Sequence, residues 1–150
     1  MNEDKEWSPK IFMRDLSNVP FHRLVGLNAE NFDIENRCIR FEMRDNLVGN
    51  TDFKILHGGV IATLFDAEGA FILYLNGAWR PKTGATGTPH KVKGGTIDLH
   101  IDYLRPGKGK HFVVSGTILR HGSKVAVVRT ELRDDQDELI ATGTGTYLIG

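Results

Sequence analysis

The chain has 150 residues, 40% of them hydrophobic and 25% charged, with 19 basic and 19 acidic side chains and a formal net charge of zero. That length and composition suit one globular domain and disfavour disordered, collagen-like and membrane-embedded classes. The neutral balance argues against nucleic acid or an anionic membrane as a bulk electrostatic partner, and the lone cysteine, Cys38, excludes an internal disulfide and a cysteine-rich zinc site.

We read a single domain over residues 1–150, with residues 1–18 as an N-terminal helical extension. The first six residues are mixed in charge and lack the apolar segment of a leader. With one cysteine, this predicts a cytoplasmic protein. Ser8-Pro9 resembles a helix start, and a short helix is expected to run to about Ser17, ended by Val19-Pro20. Over 21–44 the apolar spacing is strand-like. Cys38, Ile39 and Phe41 lie among Arg40, Glu42 and Arg44 after the turn residues Glu35-Asn36, which predicts a hairpin. Residues 45–54 are polar and broken by Gly49. A mostly apolar, proline-free run then predicts one long helix over 58–75, stopped at Asn76-Gly77. It is apolar nearly all round, so it should be buried nearly all round, and with Asp66 and Glu68 inside it is a poor bilayer span. Residues 76–95 form a long irregular stretch with Arg80, Lys82, Lys91 and Lys93, the kind of loop that is usually functional.

From Thr96 the period becomes two: Ile97, Leu99, Ile101 and Tyr103 alternate with Asp98, His100 and Asp102. Further strands are expected over 112–119, 124–133 and 138–149, giving a four-stranded antiparallel meander. The expected class is α+β, with one buried helix wrapped by a curved sheet of five to six strands.

The segment richest in chemistry is His57-Gly58-Gly59 followed by Asp66. Two glycines at a helix mouth expose backbone N–H groups at the positive end of the helix dipole. A carboxylate inside an apolar helix is costly unless paired or used. By three- and four-residue spacing, Asp66 shares a face with the small residues Gly59, Ala62, Thr63, Gly69 and Ala70, while Ile61, Leu64, Phe65, Ile72 and Leu75 are bulky. Gly69 costs roughly 1 kcal/mol in a helix interior, for which close helix–helix contact across a dimer axis is one reason. Glu68 lies about 200° around the helix from Asp66 and cannot share its site, so we read it as structural. Taken alone, a helix Asp is more often solvated or hydrogen-bonded than catalytic, and His57 more often a cap.

His57-Gly58-Gly59 with an acid nine residues after the histidine, ahead of antiparallel strands, resembles the hotdog-fold thioesterases of the PaaI type. Val48-Gly49-Asn50, the segment from Ile55 to Ala62, Gly95-Thr96-Ile97-Asp98-Leu99 and Asp102-Tyr103-Leu104-Arg105-Pro106-Gly107 more closely resemble the YigI-like branch of acyl-CoA thioesterases. The resemblance implies a hotdog fold and hydrolysis of an acyl-CoA to a carboxylic acid and coenzyme A. The branch implies medium or long acyl chains, although aromatic acyl groups occur among PaaI-type relatives. It implies that Asp66 attacks the thioester carbonyl or activates water, with both versions open. It implies that the Gly58 N–H polarises the thioester oxygen, that His57 holds the loop and the carbonyl region, that Asn50 helps position water or the carboxylate, and that Thr96 opens the next strand near the acid. Asn50 stands seven residues before His57, where related members often show six.

Coenzyme A carries phosphates, for which Arg105 and Lys108 at one turn, and Arg120, His121 and Lys124 at another, are candidates beside Gly59 at the helix mouth. Surface turns are often basic without any such role. No nucleotide-binding glycine motif and no metal motif occurs, so neither a cofactor nor a metal is expected. Thr96 shares parity with Asp98, His100 and Asp102, which predicts that it points away from its own Asp66 and serves a partner subunit. The family picture of sites between two subunits agrees, and implies a homodimer, assembled as a homotetramer. Two other readings stay open: a non-catalytic acyl-CoA-binding hotdog module, and a hotdog dehydratase or hydratase.

Overall fold

The computed structural model describes residues 8–79 and 94–150. The basic positions between Arg80 and Lys93 lie outside them.

Helix α1 spans Pro9–Ser17, and the Ser8 side chain accepts the Ile11 N–H at its start. The following residues depart from expectation. Pro20–Val25 is a second short helix, α2, where strand-like spacing was read. Proline at the first helical position costs no hydrogen bond, so Pro20 opens this helix as well as closing the one before. Gly26, at φ 75°, ends it in the left-handed region that glycine tolerates. The expected hairpin follows as β1 (Phe32–Asp33) and β2 (Cys38–Glu42), with Phe32 opposite Ile39. A small separate hairpin, β3 (Val48–Asn50) and β4 (Ile55–Leu56), leads into the long helix α3, Gly58–Leu75. Four longer strands complete the chain: β5 (Gly95–Tyr103), β6 (His111–His121), β7 (Val125–Asp134) and β8 (Leu139–Leu148).

The six-stranded antiparallel sheet has the order β1-β2-β6-β7-β8-β5. This corrects the four-stranded meander. Only β6, β7 and β8 run as one, and β5 pairs with β8 at the sheet's edge. The 104–110 segment holding Pro106 and Gly107 is therefore a crossing and not a hairpin turn. Leu104 and Arg105 donate backbone N–H groups to the Ile140 carbonyl, and Gly107 accepts from Leu56.

Most of α3 is buried, with Leu64, Phe65, Phe71, Ile72 and Leu73 essentially inaccessible. Helix and sheet share one core with Phe41, Phe112, Val114, Leu132 and Ile140, and Phe71 meets Phe32 edge to face at 5.1 Å between ring centroids. Gly59, Ala62, Asp66 and Ala70 form a less covered stripe along the helix. Gly69 is not on it. A Cβ there would collide with the Tyr147 ring, so this glycine makes room for a strand side chain of its own chain. That replaces the expected helix–helix contact.

Glu68 lies fully inside, on the side of α3 that faces β2 and β6. Neither carboxyl oxygen has a hydrogen-bond partner of normal geometry. Loss of hydration pushes its pKa up to about 9, and the backbones of Gly116 and Ile39 and the Arg37 charge offset this only in part. The carboxyl is neutral at pH 7. The folded state thus holds a proton that the unfolded chain releases above its ordinary value of 4.5. The contribution of Glu68 to stability is full below that value and is lost as pH rises towards 9. Glu68→Gln removes this term. Its stability relative to wild type should climb between pH 5.5 and 8.5, by an increment on the order of a few kcal/mol at 1.36 kcal/mol per pKa unit, with its relative melting temperature rising in step. Thermal melts at both pH values check this, and a constant difference contradicts it.

Candidate active site

The site begins where the β3–β4 hairpin hands the chain to α3. The His57 N–H donates to the Leu47 carbonyl at 2.8 Å. Gly49 packs so closely on His57 that a Cβ would stand 2.8 Å from the histidine Cα. So held, His57 caps α3: its Nδ1 accepts the Gly59 N–H at 2.9 Å. An accepting Nδ1 carries no hydrogen, which assigns the ring hydrogen to Nε2 in the neutral form. The same bond consumes the Gly59 N–H, so Gly59 does not offer it to a ligand as the sequence reading had it.

Gly58 is different. Its N–H has no acceptor among the described residues, while its carbonyl accepts the Tyr103 hydroxyl at 2.9 Å. A Cβ on Gly58 would lie 3.2 Å from the Tyr103 ring. The result is a fixed, open donor at the positive end of an eighteen-residue helix, the arrangement that stabilises a developing oxyanion.

The acid lies further along. Asp66 is half-buried on the uncovered stripe and accepts a short hydrogen bond from the Thr96 hydroxyl of its own chain. The parity reading of Thr96 is therefore wrong. The pairing of β5 with β8 slips between Thr96 and Asp98, with Thr96 opposite Tyr147 and Asp98 opposite Thr146. Ile97 is the extra residue and is 58% exposed. Such a bulge reverses the alternation. Thr96 thereby joins the face of Leu99 and Ile101, which packs on the core, and leaves the face of Asp98, His100 and Asp102. Tyr147 sits against the same turn of helix, its hydroxyl donating to the Phe65 carbonyl at 3.4 Å. Burial, and then the Asp66 charge, keep that hydroxyl protonated.

The other predicted residues divide between the two ends of α3. Asn50 belongs to the hairpin at the Gly58 end, and its side-chain oxygen accepts from the Asp52 and Phe53 N–H groups at 3.1 and 3.2 Å, which is ordinary turn chemistry. Arg105 donates to the Leu139 carbonyl at 2.9 Å, and the Lys108 ammonium stands 5.7 Å from the Phe53 ring centroid. Both flank the Gly58 end through the Gly107–Leu56 contact. Arg120, His121 and Lys124 lie at the opposite end of the sheet, where His121 pairs with Ala126, Ala126 with Tyr147 and Tyr147 with Thr96. Arg120 and Lys124 line a surface recess of about 350 Å³ there. Among the described residues no three His, Cys, Asp or Glu side chains converge as a metal site would require. Tyr103 was missed as a functional residue, because a tyrosine in the apolar alternation of a strand reads as core.

Comparison with known proteins adds an independent line. Residues 53–141 match the family model described as the thioesterase superfamily. The chain is 36% identical over 144 residues to a medium/long-chain acyl-CoA thioesterase, YigI, of Escherichia coli, covering 89% of this chain and 87% of that one. A crystal structure from Shewanella oneidensis, related to the thioesterase superfamily, superposes with a TM-score of 0.75 at 36% identity, covering 94% of each chain. A protein of Bacillus halodurans solved with CoA superposes with a TM-score of 0.59 at 28% identity, covering 74% of this chain and 65% of that one.

The cap makes a separate prediction. His57→Ala should cost about 1 kcal/mol through loss of the N-cap bond, or a few degrees of melting temperature at this chain length. His57→Asn, which restores an accepting side chain, should recover most of it. Equal melting of both variants would show that the bond to Gly59 contributes nothing.

Proposed function

From the premise that the chain belongs to the thioesterase superfamily and has the hotdog fold, we propose that it hydrolyses medium- or long-chain acyl-CoA thioesters, as a PaaI-type enzyme of the YigI-like branch. Water adds across the thioester bond, the carbon–sulfur bond breaks, and a carboxylic acid and free coenzyme A leave. The observation that carries this reading is the Asp66 carboxylate, set on the uncovered stripe of an otherwise buried helix and held by Thr96.

Asp66 acts as nucleophile or as general base towards water. The free Gly58 N–H polarises the thioester oxygen, and His57 holds that N–H in place. Within one chain these two groups cannot serve one carbonyl. They lie eight residues apart on α3, about 12 Å along the axis at 1.5 Å per residue, whereas both must come within about 3 Å of neighbouring atoms of one substrate. Two copies related by a two-fold axis, with their α3 helices antiparallel, bring the Gly58 of one to the Asp66 of the other. The outer edge of β5 is unpaired among the described residues, and pairing with its symmetry mate would cover it. The catalytic unit is then a homodimer. Its assembly into a homotetramer, and a cytoplasmic setting in keeping with the single buried Cys38, complete the proposal.

This arrangement also gives both basic groups a role. Arg120, His121 and Lys124 come from the subunit that supplies the acid, and Arg105 and Lys108 from the subunit that supplies the oxyanion donor. Between them they flank the coenzyme A phosphates.

Free-thiol release from acyl-CoA tests the assignment. Asp66→Asn should lower turnover at least about a hundredfold, the lower end for a positioned base, with folding intact because a half-buried charge is removed and not created. Gly58→Val, which crowds Tyr103 and displaces the donor, should cost on the order of 3 kcal/mol of transition-state stabilisation. Near-normal hydrolysis by Asp66→Asn would end this reading.

A further inference from the structure

Asp66 also forms part of the wall of a cavity of about 390 Å³ between the N-terminal helices and the second half of α3. Phe12, Leu16 and Val19 line it from one side, and Ala70, Trp79 and Tyr147 from the other. Its volume lies within the range of small-molecule pockets. Each polar side chain on its wall already holds one partner within the protein. His22 Nδ1 lies 2.7 Å from the Leu16 carbonyl, and Thr96 and Asp66 hold each other. What remains is a mostly apolar surface.

We propose that this cavity holds the hydrocarbon tail of the acyl group, so that α1 and α2 set the acyl-chain preference. The inference rests on the thioesterase reading and deepens it. With the thioester carbonyl at Asp66, a tail entering the cavity runs past Ala70, one helical turn further along α3, towards Trp79 and away from the Gly58 end. The walls are built in advance of any ligand. Phe12 stacks on Tyr74 at 3.4 Å between ring centroids, and the Tyr74 hydroxyl donates to the Ser8 carbonyl at 3.0 Å, which fixes α1 against α3. The Trp79 indole donates to the Leu148 carbonyl at 3.0 Å, which fixes the far end. Preformed walls spare the ordering cost that a floppy pocket imposes on binding. The matched family model begins at residue 53. Phe12, Leu16, Val19 and His22 therefore lie outside the part that defines the family, which suits residues that select a tail and do not perform the reaction.

Ala70→Leu fills the cavity beside the acid, and Val19→Trp fills it from the opposite wall. Both positions are partly exposed, so neither change disrupts the core. The measured quantity is the ratio of kcat/KM for dodecanoyl-CoA to that for butanoyl-CoA. Each methylene kept out of an apolar pocket is worth roughly fourfold in binding, so the exclusion of three or more should lower the ratio at least about sixtyfold in each variant. An unchanged ratio in both, with butanoyl-CoA still cleaved, places the tail elsewhere and overturns this inference while leaving the thioesterase reading intact. Equal loss on both substrates in folded protein overturns it too, since it denies the cavity any selectivity for the tail. Wild-type protein that cleaves neither substrate overturns the thioesterase reading itself, and this inference with it.

Discussion

An apolar helix as long as α3 has to leave water on almost every side, and a chain of 150 residues can achieve that only by bending a sheet around it. By length and composition this helix could cross a membrane, yet it is buried in the concavity of six strands. Where it meets the strands, glycines remove what would collide. Gly69 and Gly145 make room for Tyr147, and Gly143 for Phe65. The sheet does not close completely. The line through Gly59, Ala62, Asp66 and Ala70 stays partly open, and the proposed acid and donor lie along it and at its head. Wrapping of α3 thus shapes the core and the site together. The buried Glu68, neutral and facing the strands, shows what the same helix does with an acid on its covered side.

Helix geometry then divides the chemistry. The donor at Gly58 and the acid at Asp66 lie more than two turns apart on one rigid element, and no side-chain rotation closes about 12 Å. On the proposed reading each chain carries two half-sites, one at each end of the stripe. Thr96 belongs with the acid, because their hydrogen bond is made within the chain. Tyr103 belongs with the donor, because it holds the Gly58 carbonyl. The two ends of β5 therefore support different halves, and a strand at the sheet's edge is well placed to bring two copies together.

Features of the chain set by local pattern were legible from the sequence. The apolar run between Gly58-Gly59 and Asn76-Gly77 marked α3, and its periodicity placed Asp66 among small residues. Alternation marked the strands. Features decided by distant contacts were not legible. Nothing near residue 95 says that β5 will pair with β8, since turn residues at 105–109 serve a crossing as readily as a hairpin. Pro20 stops one helix and starts another, and only the packing of α2 shows the second role. Ile97 is the clearest instance. One extra residue in the ladder reverses every side chain before it, so strict alternation put Thr96 on the wrong face. Gly69 was rightly singled out as needing a packing reason, but that reason is a tyrosine seventy-eight positions later. The candidate residues were singled out because helix spacing and motif coincide. A site shared between subunits was expected from the parity of Thr96; the structure overturns that ground, and the proposal rests instead on the spacing of Gly58 and Asp66 along α3.

Subunit complementation tests that partition most directly. Asp66→Asn and Gly58→Val are each prepared as inactive protein, mixed under conditions of verified subunit exchange, and assayed for thiol release. If the site joins the acid of one chain to the donor of the other, every mixed dimer holds one intact site, and random exchange restores about one quarter of wild-type activity. Asp66→Asn mixed with Thr96→Val should restore nothing, because those two residues act from the same chain. Failure of the first mixture to recover despite exchange, or a fully active monomer, would contradict the account.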